Sequence, residues 1–115
     1  MSYRIQLTEQ AQKDLSFLPE KVVDTYLEKK DDAEDDLNEY ANAEPGQVFN
    51  KRMNDNMHPM LQINMGRDHR AWFMEEKHLD IKSDSEHDII YGIRALTKKE
   101  AKKFTRKIRD ARAFA

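Results

Sequence analysis

The chain has 115 residues and a formal net charge of −2, with 37% of residues charged against 38% hydrophobic; that length fits one domain over residues 1–115 around a small core. It contains no cysteine, which excludes disulfides, thiolate–zinc sites and thiol nucleophiles. No apolar run approaches the roughly 20 residues of a membrane span and the amino terminus lacks a signal-peptide pattern, so the sequence reads as cytoplasmic, without a membrane partner.

"YRIQL" (Tyr3–Leu7) alternates large apolar and polar side chains and predicts a strand. Thr8 stands at an N-cap position, and Ala11, Leu15 and Leu18 follow at helical spacing as far as Pro19. Beyond that proline, Val23, Tyr26, Ala33, Leu37 and Tyr40 keep a three–four rhythm broken only by Lys30, which predicts an amphipathic helix of about six turns ending before "EPG". The two helices read as an αα-hairpin. "QVFNKRM" fits no single pattern, and "NDNMHP" (Asn54–Pro59) reads as a loop.

"MLQINM" (Met60–Met65) predicts a strand with Leu61 and Ile63 on one face and Gln62 and Asn64 on the other. "GRD" supplies turn chemistry, and "HRAWFMEE" returns as the partner strand. After the polar loop "KSDSEHD" comes the strand "IIYGIRA" (Ile89–Ala95); Thr97 and Glu100 then form a capping-box pattern ahead of a helix with Ala101, Phe104, Ile108 and Ala111 on its buried stripe. The order β-α-α-β-β-β-α predicts an α+β sandwich, an antiparallel sheet with the helices on one face.

Charge is segregated along the chain. Residues 20–44 hold ten carboxylates against three lysines, a balance of −7, and residues 94–115 hold nine cations against two carboxylates, a balance of +7. Such a basic segment fits nucleic acid or an acidic partner, and equally two solvated helix faces.

Four stretches, in order, resemble the RelE/ParE superfamily of toxin–antitoxin toxins: "YRIQLTEQAQKDLSFLP", "FNKRM" leading to "LQINM", "HRAWF", and "IIYGIRALTKKEAKKF", the last most like the HigB branch. The resemblance spans Tyr3 to about Arg112. It implies a RelE-like fold and a ribosome-dependent messenger RNA endonuclease, needing no metal or cofactor, that blocks translation and is silenced by a cognate antitoxin; the ParE branch instead inhibits DNA gyrase. In the nuclease branch the RNA's own 2′-hydroxyl attacks the adjacent phosphate, which calls for a base, a cation on the phosphate and an acid for the leaving oxygen.

Carried over by position, the resemblance makes Arg70 the phosphate-holding arginine and places Lys98 and Lys99 at the second catalytic cation. Lys51, Arg52, Arg67 and Lys102 become RNA contacts, and Lys98, Lys102, Lys103 and Arg106 the antitoxin surface. Two departures from the nuclease pattern stand out: Gln62 and Asn64 stand where RelE has a lysine pair, and Phe104 stands at the catalytic tyrosine. The alternative is therefore a RelE-fold protein that acts by binding another protein, a ParE-like gyrase inhibitor or a catalytically degenerate regulator.

Three further features have a plain structural role beside a functional one. His69 precedes Arg70 and so points to the opposite face of a regular strand, while His58 and His87 lie in loops. Met53, Met57, His58 and Met60 offer soft metal ligands, but methionine is also an adaptable core filler. Trp72 and Phe73 are base-stacking candidates, of which strand alternation directs one into the core.

Overall fold

In the computed structural model, which describes residues 2–40, 43–79, 86–107 and 110–111, the chain opens with β1 (Tyr3–Leu7) and passes through Thr8 into α1 (Glu9–Ser16). The Thr8 hydroxyl oxygen accepts the Ala11 amide hydrogen at 3.1 Å, satisfying one of the donors that a helix start leaves open. Pro19 stands just before α2 (Glu20–Glu39), where no intrahelical bond requires the amide hydrogen it lacks. Tyr26, Ala33 and Leu37 form the buried side of α2. Tyr40 does not join them: the helix ends at Glu39, the backbone turns extended, and the ring is 61% exposed.

A short α3 (Pro45–Val48) and a two-residue β2 (Lys51–Arg52) occupy the stretch whose pattern is ambiguous in sequence. After a 3₁₀ turn at Asp55–Met57 come β3 (Leu61–Met65), β4 (His69–Glu75), a second 3₁₀ turn at Glu76–His78, β5 (Asp88–Thr97) and α4 (Lys98–Lys107). The capping box at the head of α4 is formed. The Glu100 amide donates to the Thr97 hydroxyl oxygen and the Thr97 amide to Glu100 Oε1, both at 3.1 Å. Ile108, Arg109 and Arg112, and residues 82–85 of the polar loop, lie outside the described residues.

The α+β class holds, with two corrections to the layout. The five strands lie in the order β1-β5-β4-β3-β2, and the sheet is mixed rather than antiparallel, because β1 runs parallel to β5, Tyr3 against Asp88 through Leu7 against Gly92. Strands β2 to β5 are antiparallel neighbours. A tight turn dictates the opposed direction of β3 and β4, whereas the whole chain separates β1 from β5 and no turn dictates theirs.

The second correction is that helices cover both faces. Ile5, Leu15, Tyr26, Leu37, Leu61, Ile63, Phe73 and Ile90 pack between the sheet and the α1–α2 pair. Met53, Met57, Met60, Trp72, Met74, Ile93 and Leu96 pack on the other side with Ala101 and Phe104 of α4. The sequence signals this in the unbroken apolar run of β4, since a strand buried on both faces loses its alternation. Consequently Trp72 and Phe73 are both core residues, at 0% and 1% exposure, and neither is available to stack on a base. Met53, Met57 and Met60 likewise fill the core on the α4 side.

Two polar devices complete the frame. The outer edge of β1 is covered by α2: the Ile5 amide donates to Glu34 Oε2 at 2.8 Å and the Tyr3 amide to Asn38 Oδ1 at 2.7 Å, while Asn38 Nδ2 donates to the Tyr3 carbonyl at 3.0 Å. An edge so satisfied does not recruit a further strand. Arg94 on β5 donates to both carboxylate oxygens of Asp14 on α1, at 2.7 and 3.1 Å, and its guanidinium lies 5.1 Å from the Phe104 ring centre on α4.

Candidate functional site

Between α4 and the β2–β3–β4 end of the sheet lies a cleft of about 620 Å³. Register explains its lining. Lys51 is the cross-strand partner of Gln62, and Arg70 that of Asn64; directly paired residues point to the same face, so one row of β2, β3 and β4 looks into the cleft. From α4 come Lys98, Ala101, Lys102, Thr105 and Arg106, the i, i+3, i+4, i+7, i+8 positions of one helix face. The Lys98 amide donates to the Asp68 carbonyl at 2.7 Å, tying the start of α4 to the β3–β4 turn.

Five cations therefore line one cleft: Lys51, Arg70, Lys98, Lys102 and Arg106. No carboxylate, histidine or tyrosine lines it among the described residues. Arg70 is held by its own hairpin, with Nη1 donating to the carbonyls of His69 at 2.7 Å and of Gly66 and Arg67 at 3.2 Å. Gly66, at φ 73°, takes the left-handed conformation that shapes this turn. No carboxylate among the described residues pairs with Arg70, and its Nε and Nη2 remain for a ligand.

The remaining candidates divide. Lys99 lies outside the main cleft, in a neighbouring hollow of about 410 Å³ with Asp68, His69 and Thr97, which Lys98 and Lys102 also border. Arg67 is exposed on the hairpin turn and Lys103 on α4, and neither lines either hollow. The Arg52 guanidinium is engaged elsewhere, with Nη2 2.8 Å from Glu75 Oε1 and Nη1 donating to the Pro59 carbonyl at 3.2 Å. Phe104 is half-buried and packs against the core on the α4 side. His58 is exposed, and His87 bonds the Ser2 hydroxyl near a separate pocket of about 350 Å³ bordered by Tyr3, Glu75 and Asp88.

Glu75 is 5% exposed and gathers Arg52, Lys77 at 3.4 Å and the His78 ring at 3.7 Å. Burial nevertheless pushes the His78 imidazole below its ordinary value of 6.5, outweighing the nearby carboxylate, so this contact is not an ion pair at neutral pH.

Sequence reasoning missed Asn50 and Thr105 as lining residues, and treated Gln62 and Asn64 only as substitutions. Those two are the floor of the cleft. Trp72 Nε1 donates to Gln62 Oε1 at 3.1 Å, Gln62 Nε2 to Asn64 Oδ1 at 3.2 Å, and the Asn64 amide to Asn50 Oδ1 at 2.6 Å. Alternation in β3 placed Gln62 and Asn64 on the right face; nothing in the sequence marked Asn50.

The acidic helix α2 packs on the opposite face of the sheet, so its carboxylates stand away from the cleft. Among the described residues no three His, Asp or Glu side chains gather as a metal set, and no helix is long and apolar enough to cross a membrane. No protein family, curated protein or solved structure matches the chain.

Proposed function

We propose that the cleft binds the phosphate backbone of RNA and that the protein acts as a RelE-like toxin of a type II toxin–antitoxin system, a ribosome-dependent messenger RNA endonuclease neutralised by a cognate antitoxin. The observation that carries this reading is a cleft lined by five cations and, among the described residues, by no carboxylate. A polyanion recovers in such a groove the charge neutralisation that scattered surface lysines do not supply. Arg70 holds the phosphate with the guanidinium nitrogens its hairpin leaves available, and Lys98 supplies the second cation. Attack of the 2′-hydroxyl on the adjacent phosphorus forms a cyclic phosphate and breaks the bond to the 5′ oxygen of the next nucleotide. The proton leaving the 2′-hydroxyl and the one reaching the 5′ oxygen pass through lysine or solvent, since no other titratable group but arginine lines the cleft among the described residues.

The test is a translation extract programmed with one defined message. Fragments ending in 2′,3′-cyclic phosphate, formed only with ribosomes present and lost in Arg70→Ala, are expected; an intact message alongside full protein synthesis overturns the nuclease reading. The second reading, a RelE-fold protein that acts by binding another protein, is favoured by the lack of histidine, tyrosine and carboxylate in the described lining and by the place of Phe104, which packs half-buried against the core outside that lining. Inhibition of gyrase supercoiling with the message left intact selects the ParE-like form of that reading.

A further inference from the structure

The floor of the cleft carries a hydrogen-bond relay whose direction is fixed from its buried end. An indole nitrogen only donates, so fully buried Trp72 commits Gln62 Oε1 to accept and turns the Gln62 amino group toward Asn64. That amino group commits Asn64 Oδ1 to accept. The Asn64 backbone amide, also a donor only, commits Asn50 Oδ1. Both asparagines line the cleft with the oxygen engaged and the amino group without a protein partner among the described residues. A surface carboxamide ordinarily offers a ligand an acceptor and a donor; here the relay occupies one lone pair of each oxygen and leaves each amino group whole, so the pair favours donation. The Thr105 hydroxyl hydrogen is likewise directed away, to the Ala101 carbonyl at 2.7 Å.

We propose that this floor reads guanine in single-stranded RNA, an inference that rests on the RNA reading above and adds a base preference to it. Guanine offers two neighbouring acceptors, N7 and O6, on its Hoogsteen edge, whereas adenine sets an amino group beside N7. Two neighbouring amide donors match the first and bring donor against donor with the second. The surrounding cations take phosphates, which position the strand without reading it. Asn50 and Asn64 touch the base; Trp72 and Gln62 are positioning residues that decide which end of Asn64 faces it.

Fluorescence anisotropy with a uridine hexamer carrying one central guanine, adenine or 7-deazaguanine, at one fixed salt concentration, tests the proposal. The guanine hexamer is expected to bind roughly tenfold tighter than the adenine one, within the range of a two-bond base contact, with 7-deazaguanine between them. Asn64→Ala brings the guanine-to-adenine ratio toward one. So does Gln62→Met, which keeps a side chain of similar size but ends donation to an intact Asn64. Equal binding of all three hexamers by the unaltered protein overturns the guanine reading and leaves RNA binding standing, whereas no binding of any hexamer overturns both. If Gln62→Met weakens the guanine and adenine hexamers by the same factor, ratio intact, the relay does not set the preference and that part of the proposal falls.

Discussion

The Tyr26 hydroxyl is buried with no hydrogen-bond partner among the described residues, and a β-carbon built on Gly92 would lie 2.6 Å from it and 2.7 Å from Leu7 Cδ2. Burial, with a smaller contribution from Asp14, pushes this phenol well above its ordinary value, so it stays neutral and still lacks a partner. Tyr26→Phe is therefore expected to raise stability by about 1 kcal/mol, measured by urea unfolding. Gly92→Ala is expected to lower it by about 1–3 kcal/mol through overpacking. Combining the two should recover part of the loss, because the two sites touch; strict additivity would show that the clash lies only with Leu7. At Arg70 the outcome separates folding from binding. Its three carbonyl contacts lie on a partly exposed turn, so Arg70→Ala should cost about 1 kcal/mol of stability while removing RNA cleavage. Full retention of cleavage removes Arg70 from the site. His78 gives a pH signature. Its folded value is depressed, so the unfolded chain takes up the proton first, and the stability His78 contributes is present above pH 6.5 and is lost as pH falls below it. His78→Gln should flatten the stability slope in that window, and an unchanged slope assigns it to other groups.

Elements divide into those whose signal is local and those set by the sheet as a whole. The caps of α1 and α4, the α2 stripe as far as Leu37, and the faces of β3 were legible because each depends on residues three or four apart, or on simple alternation. The parallel pairing of β1 was not, since it joins residues about 85 apart and no turn announces it. Nor was the two-residue β2, whose register rests on β3. Of the candidate site, the cations Lys51, Arg70, Lys98, Lys102 and Arg106 were legible and do line one cleft. Arg52 was indistinguishable in sequence from Lys51, although one step along a strand turned it toward Glu75 instead. Helix α2 carries its own prediction. Glu28 and Asp32, Asp31 and Asp35, Asp32 and Asp36, and Asp35 and Glu39 are like charges at i,i+4 spacing. Changing Asp32, Asp35 and Asp36 to asparagine removes all four repulsions and should stabilise the protein by about 1 kcal/mol, read as a higher melting temperature at low salt. A lower melting temperature would mean that these carboxylates make stabilising contacts of their own.

Across the whole molecule the sheet separates an acidic layer from a basic one, with α2 on one face and α4 on the other. The charge that nearly cancels in the total, −2, is thus large on each side. The same triple asparagine change should raise RNA affinity at low salt by a modest factor that disappears as salt rises, because carboxylates on the far face act only through space. A gain that persists at high salt would place those carboxylates against the RNA. Opposed charge on two faces also exerts a torque. Near a polyanion, within a few Debye lengths of about 8 Å, the molecule turns its α4 side inward before any contact forms. Rotation is then biased ahead of docking, and a larger share of encounters arrive in register. On any negatively charged surface the protein would land in that same attitude, with its cleft against the surface and α2 toward the solution.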